Sequence, residues 1–280
     1  MKKPTSPIRA PLETLGLIFL SGLLATLIFL LHGCGEWDPE FYCAGSATSP
    51  ITQKIVGGQV STDRRATVAL GRAGQLQCSG VAISPNTVLT AAHCRSFTGV
   101  LVPAQLGSQE LWYEYEVVDV LVHPSYDLEA ETWPGPKFDL AMMFVSVPLP
   151  GPYASIIYDP AAGGFEEDLR KACTGLVAQG FGWHEETGVG ILRESPYEVG
   201  NLDTWNLSGL GTAGESICGS DSGGPLYAYV EGHPYAPERT LMLAGTHVAT
   251  HRRVPGEPCY GPSTHINLIN FKPWIEENVR

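Results

Sequence analysis

The sequence predicts an all-β fold with a short C-terminal helix, and three observations predict it. Gly (32) and Pro (22) make up nearly a fifth of the 280 residues, a share that suits short strands and tight turns better than a helical bundle. From Ile55 onward, short β-prone runs alternate with Gly and Pro breaks. Helical periodicity is confined to the end of the chain.

The elements follow in chain order. "GVAISPNTVLTAAHC" reads as a strand, a Pro-Asn turn and a second strand. "WYEYEVVDVLVHP" alternates over part of its length, and "GLVAQGFGW", "GPLYAYV" and "TLMLAGTHVAT" are further β-prone runs. "NFKPWIEENV" predicts a helix with Asn270 as N-cap and Ile275 and Val279 on one face. No internal repeat or low-complexity tract interrupts the pattern. A hinge between two halves is expected within residues 148–164, "PLPGPYASIIYDPAAGG".

The N-terminus carries an export pattern. Lys2, Lys3 and Arg9 precede the uncharged run "LGLIFLSGLLATLIFLL", Leu15 to Leu31, about 25 Å long as a helix and at the short limit for crossing a bilayer. It ends in "LHGC", Leu31 to Cys34, which resembles the lipobox of bacterial lipoproteins, cut before a Cys that is then lipidated. His32 stands where that pattern has a small residue, and an uncleaved signal anchor is the competing reading. Either way the remainder is exported, to a compartment where disulfides persist. Residues 1–33 are therefore expected to be a signal or membrane segment, and residues 34–54 a linker and pro-segment.

Charge excludes one class of partner. The net charge is −12, and residues 1–54 hold as many Lys and Arg as Asp and Glu, so the whole excess lies on residues 55–280. Nucleic-acid binding needs clustered cations and is not expected. The plain reading of that charge is solubility.

Three strings carry chemistry. A Ser hydroxyl is a poor nucleophile at neutral pH and needs a base in reach, itself oriented by a third group. The chain supplies "LTAAHC" around His93, "FDLAMM" around Asp139 and "DSGGP" around Ser222, in that order. On these strings, residues 55–280 resemble the chymotrypsin/trypsin family of serine proteases. "KIVGG", Lys54 to Gly58, is similar to that family's activation site.

The resemblance implies two antiparallel six-stranded β-barrels with the site between them, and a protein or peptide substrate. It implies that Ser222 attacks a peptide carbonyl, His93 moves the proton and Asp139 orients His93. It further implies that an activating protease cuts between Lys54 and Ile55, and that the new Ile55 amine pairs with buried Asp221. The seven cysteines are an odd number for an exported chain, and a lipidated Cys34 leaves six. The family pattern implies Cys78–Cys94 and Cys218–Cys259 bridges, which leaves Cys43 and Cys173 for a third.

Four departures from the pattern accompany these matches. Relatives have Gly two residues before the reactive Ser, where backbone N–H groups form the oxyanion hole; here Ser220 stands there, with Ser222 as the second donor. Val248 and Ala249 replace a Ser-Trp pair, of which the Ser supports the catalytic Asp. The pocket base is Ser216, not an acid, so a preference for Lys or Arg is not expected. Thr250 and Ser263 fall where deep pockets keep Gly, which implies a short pocket and small apolar residues before the scissile bond.

No metal or cofactor is expected. "WHEETG" at His184 is not a zinc helix, and His247, His251 and His265 lack a ligand spacing. The expectation is thus an envelope-anchored or secreted serine endopeptidase made as a zymogen. The rival is a protease fold that docks partners without turnover.

Overall fold

The computed structural model describes residues 58–72, 74–107, 111–127, 137–156, 176–202, 204–211, 217–230, 240–250 and 261–280, all within one compact unit, Thr48–Arg280. The expectations for the leader, Cys34, Cys43, Lys54, Ile55, Cys173, Ser216, His251 and Cys259 concern residues outside this set.

Two closed β-barrels make up the fold. The first comprises β2 (Thr67–Arg72), β3 (Gln75–Ala82), β4 (Thr87–Thr90), β5 (Gly99–Pro103), β6 (Trp112–Val122) and β7 (Ala141–Val145), in spatial order β2-β3-β4-β7-β6-β5. The second comprises β8 (Leu176–Gly180), β9 (Arg193–Leu202), β10 (Asn206–Gly211), β11 (Pro225–Val230), β12 (Thr240–Thr250) and β13 (Ser263–Asn267), ordered β8-β9-β10-β13-β12-β11 and closed by β11 on β8. Both barrels follow one plan, with the last three strands reversed in space. All pairings are antiparallel, and the short β1 (Gln59–Val60) adds to β9. Closure leaves no long free edge to pair with another chain.

The first barrel is filled by apolar side chains. Val68, Leu70, Val81, Val88, Leu89, Met142 and Met143 are all fully buried, each contributing about 1.5–3 kcal/mol of transfer free energy where the side chain is Val-sized or larger. The seam between barrels is polar. Gln179 accepts from the Thr67 hydroxyl at 2.7 Å and donates to Ser61 and Glu194 at 3.0 Å. Tyr227 receives the Ala66 N–H at 3.3 Å.

The C-terminal helix forms, with two differences from the sequence reading. A 3-10 turn, Leu268–Phe271, precedes α1 (Lys272–Asn278), so Phe271 is the N-cap and Asn270 lies inside the turn. The Asn270 amide instead donates to the Thr204 carbonyl at 2.6 Å. Ile275 is buried, but Val279 falls past the last turn as the C-cap and is exposed. Arg280 brings the chain back to the first barrel, pairing with Asp119 and lying over the Phe144 ring.

Candidate active site

His93 and Asp139 meet at the end of the first barrel. The turn after β4 is a 3-10 helix, Ala92–Cys94, and the Cys78–Cys94 disulfide ties it to β3. This is one of the bridges expected from the sequence. Asp139 sits just before β7 in a tight turn, with Leu140 N–H donating to the Phe138 carbonyl at 2.7 Å. Its carboxylate is buried and accepts twice from one residue: the His93 backbone N–H at 2.8 Å and His93 Nδ1 at 2.6 Å. An acceptor on Nδ1 fixes the proton there, which leaves Nε2 as the basic nitrogen. His93 keeps about a third of its side chain exposed (32%), so that nitrogen has access to solvent or substrate.

Ser222 lies in the loop before β11, which the first barrel grips from the other side. Ser79 is the grip. Its N–H donates to the Ser222 carbonyl at 2.8 Å, its hydroxyl donates to the Ser220 carbonyl at 3.0 Å, and that hydroxyl accepts from Phe181 N–H at 3.0 Å. Sulfur of Cys94, the residue after His93, is 3.7 Å from the Ser222 carbonyl oxygen. The disulfide therefore draws the His93 turn and the Ser222 loop to the same place.

Within that loop Ser220 has φ of +72°, the left-handed region in which a Cβ costs roughly 1–2 kcal/mol. The turn a glycine would make without penalty is kept here by a residue that pays it. Among the described residues, neither the Ser220 nor the Ser222 N–H reaches an acceptor. Gly223 follows with φ of +80°, and a Cβ there would collide with the Thr90 hydroxyl and the Ser79 carbonyl. That collision, more than the turn itself, demands glycine.

Asp221, beside Ser222, is buried. Its buried carboxylate accepts from Gly182 N–H at 2.7 Å and Cys218 N–H at 3.0 Å. A Cβ on Gly180 or Gly182 would occupy the space this carboxylate fills. Burial pushes its pKa up to about 6, against the lowering by those two N–H groups. No cation pairs with it among the described residues.

Of the expected pocket residues, Thr250 and Ser263 face each other as register partners on β12 and β13. The Thr250 hydroxyl donates to the Ile217 carbonyl at 2.7 Å, joining β12 to the start of the Ser222 loop. Cys218 is disulfide-bonded. Val248 is buried in the apolar core, where it offers Asp139 no hydrogen bond. Cys78, His93 and Cys94 bring three potential metal-ligand atoms together, but the two sulfurs are bonded to each other. His93 is left alone, which is no metal site.

A family model described as Trypsin matches residues 55–275. The chain belongs to the trypsin family. Its similarity to individual members is low and long. Kallikrein 1-related peptidase b21 of Mus musculus is 25% identical over 90% of this chain and 97% of its own length. Serine protease 56 of Homo sapiens is 27% identical over 88% of this chain, which corresponds to only 41% of that protein. The solved structure of neuropsin, a serine protease expressed in the limbic system of mouse brain, superposes with a TM-score of 0.60 at 18% identity, covering 80% of this chain and 99% of its own. The last comparison bears on fold alone.

Two features escape a sequence reading of this trypsin-family chain. Ser79 is hidden because its only local signal is adjacency to Cys78; its partners lie more than a hundred positions away. His247 and His265 fail as a metal pair by spacing, yet β12 and β13 set them opposite each other, with ring centroids 5.2 Å apart. A strand-pairing argument could have found the second case: both stand near the ends of adjacent β-prone runs.

Proposed function

We propose that this chain is a serine endopeptidase made as a precursor, activated by cleavage between Lys54 and Ile55 and exported behind its N-terminal segment. The carrying observation is the buried Asp139 carboxylate holding both the backbone and Nδ1 of a His93 that is about a third exposed. In this reading Ser222 Oγ bonds to the peptide carbonyl carbon as its proton passes to His93 Nε2. The carbonyl electron pair moves onto oxygen, and the Ser220 and Ser222 N–H groups stabilise that charge. The C–N bond then breaks, His93 returns the proton to the leaving amine, and water repeats the sequence to free the acid and Ser222. Asp139 supports the imidazolium without taking its proton. Asp221 serves activation: a buried carboxylate with two N–H donors and, among the described residues, no cation is a receptor for the Ile55 ammonium.

Belonging to a family of proteases does not by itself make a chain catalytic, and Ser220 favours a second reading, a binding module. A fluorophosphonate probe separates the two, because it requires both an activated hydroxyl and a working oxyanion hole. The protein cleaved at Lys54 should label at Ser222, while the uncleaved protein and Ser222→Ala should not. Absence of labelling after complete cleavage, with the chain folded, would favour the binding module.

A further inference from the structure

We propose that Arg193 and Glu194, neighbours on β9, are positioning residues for activation: they fasten the segment after the Lys54–Ile55 bond to the second barrel, within reach of Asp221. This deepens the precursor reading above and rests on it.

Backbone pairing alone holds that segment weakly. β1 is two residues long and both are exposed, so no apolar side chain anchors it. Its register partners are Glu194 for Gln59 and Arg193 for Val60, and Ser61 N–H adds one bond to the Leu192 carbonyl at 2.9 Å. So short a pairing adds little stability by itself. The side chains of β9 carry the attachment.

Arg193 takes the carbonyl that lies nearest the cleavage point among the described residues. The side chain is buried, and its guanidinium donates to the carbonyl of buried Gly58 at 2.8 Å. Its other bond, to the Thr187 hydroxyl, is long at 3.4 Å, and Nε meets no acceptor among the described residues. No carboxylate among them pairs with it. A guanidinium buried without a carboxylate is costly, and its one strong contact is with the activation segment.

Glu194 gathers the residues that follow. Oε1 accepts from the Gln59 amide at 3.0 Å. Oε2 accepts from the Ser61 hydroxyl at 2.8 Å, the Arg65 guanidinium at 2.9 Å and the Gln179 amide at 3.0 Å. Three of these donors belong to the segment after the cleavage point, and the fourth belongs to β8. Burial acts to raise the Glu194 pKa, but the Ser61, Gln179 and Arg65 contacts outweigh it and the pKa is lowered. The clamp is therefore ionised at neutral pH.

The placement matches the length of chain available. Arg193 pairs with Val60 on one side and with Gly180 of β8 on the other. Gly180 lies against Asp221, since a Cβ there would fall on the carboxylate, and Gly182 donates to that carboxylate at 2.7 Å. Neighbouring strands are about 4.8 Å apart, so β1 runs about 10 Å from the strand end that Asp221 touches. The three residues from Ile55 to Gly58 also span about 10 Å when extended. Fixed at Gly58, the tether covers that gap with little to spare. Unfastened, the amine becomes the end of a longer free chain, and its local concentration at Asp221 drops.

The test uses the full chain cleaved at Lys54, unmodified and as Arg193→Met, Arg193→Lys and Glu194→Gln. One readout is the rate at which cyanate carbamylates the Ile55 α-amine, referred to the same protein unfolded in guanidinium chloride. The other is fluorophosphonate labelling of Ser222. Arg193→Met should raise the reactivity of the amine about 10- to 100-fold, the worth of a hydrogen bond from a charged group. Glu194→Gln should raise it less, and Arg193→Lys, which keeps a cationic donor, should retain part of the protection. Labelling should fall in Arg193→Met and return with millimolar Ile-Val amide, a free amine that reaches Asp221 without the tether. A merely structural defect would not answer to the dipeptide.

Unchanged amine reactivity in both Arg193→Met and Glu194→Gln overturns the clamp, as does lost labelling that the dipeptide fails to restore. Protection that Arg193→Met removes, in a protein whose Ser222 never labels, upholds the clamp and overturns the endopeptidase reading. Labelling of an unmodified protein whose amine is freely reactive overturns the clamp and leaves the protease standing. Neither protection nor labelling overturns both. If Arg193→Met does not fold, Glu194→Gln decides by the same readouts.

Discussion

The two barrels share a strand order and differ in what fills them. The first encloses mostly Val, Leu and Met, with Thr67, Ser79, Thr87 and Thr90 as buried polar side chains of its strands, whereas the second buries Tyr197, Asn206, Ser208, Thr246, His247, Thr264, His265 and Asn267 beside Leu, Ile and Ala. Topology therefore does not dictate the interior. The first barrel is the stable support, and what it contributes to the site is a rigid pair, His93 and Asp139, at its rim. The second carries the Ser222 loop, and its polar interior is a cost accepted next to that loop.

The largest expected effect tests the rim of the first barrel. Asp139→Asn keeps the size of the side chain but offers Nδ1 of His93 a donor in place of an acceptor, which favours the wrong tautomer. Turnover by the cleaved protein should fall about 10⁴-fold with little change in melting temperature. A loss below about tenfold would show that Asp139 is not the orienting group.

Next come the interiors themselves. Leu89→Ala removes a fully buried side chain and should cost about 2–5 kcal/mol in urea unfolding. His265→Leu replaces a fully buried imidazole by an apolar side chain, so its cost should be smaller, within about 1 kcal/mol of zero. Equal destabilisation by both would erase the distinction between the two interiors.

Much of this was legible in the sequence for a physical reason. Strand runs such as "TVLT" and "TLMLAGTHVAT" are set by local apolar and β-branched content, and His93, Asp139 and Ser222 sit in strings whose local turns are as informative as the residues themselves. The grip of Ser79 and the facing of His247 and His265 are products of register and barrel contact, which no local window contains. The helix start shifted for a smaller reason: a 3-10 turn consumed Asn270 before it could cap.

Acid pH sharpens the comparison further. His265, ordinarily near 6.5, is held at about 3; its contribution to stability is full above pH 6.5 and is lost as pH falls toward 3. Asp221, ordinarily near 3.8, is raised to about 6 in the chain as described; its contribution is full below pH 3.8 and is lost as pH rises through 6. Each gives a slope of up to about 1.4 kcal/mol per pH unit, with opposite sign. Between pH 4 and 6 the two offset each other in the uncleaved protein. Once an Ile55 ammonium pairs with Asp221, that carboxylate is ionised in both states between pH 4 and 6, its opposing slope disappears there, and the rise from His265 is left alone. Urea midpoints of the cleaved protein should then rise steeply from pH 4 to 6 while those of the uncleaved protein stay nearly level. Parallel profiles would mean that Asp221 receives no ammonium.

The smallest effect concerns the joint between the barrels. Ser220 holds φ of +72° at a cost of roughly 1–2 kcal/mol, and the Ser79 hydroxyl, donating to its carbonyl at 3.0 Å, returns about 1 kcal/mol. Ser220→Gly removes the strain but adds freedom to the unfolded chain, so its net gain should stay within about 1 kcal/mol. Ser79→Ala should slow fluorophosphonate labelling of the cleaved protein more in the native sequence than beside Ser220→Gly, because only a strained loop has a reason to leave its turn when the anchor goes. A coupling of about 0.5 kcal/mol or more in that cycle would assign to the first barrel the task of holding the second barrel's loop in its turn. Strict additivity would mean that the loop keeps its left-handed turn by itself, and that Ser79 merely fills the space beside it.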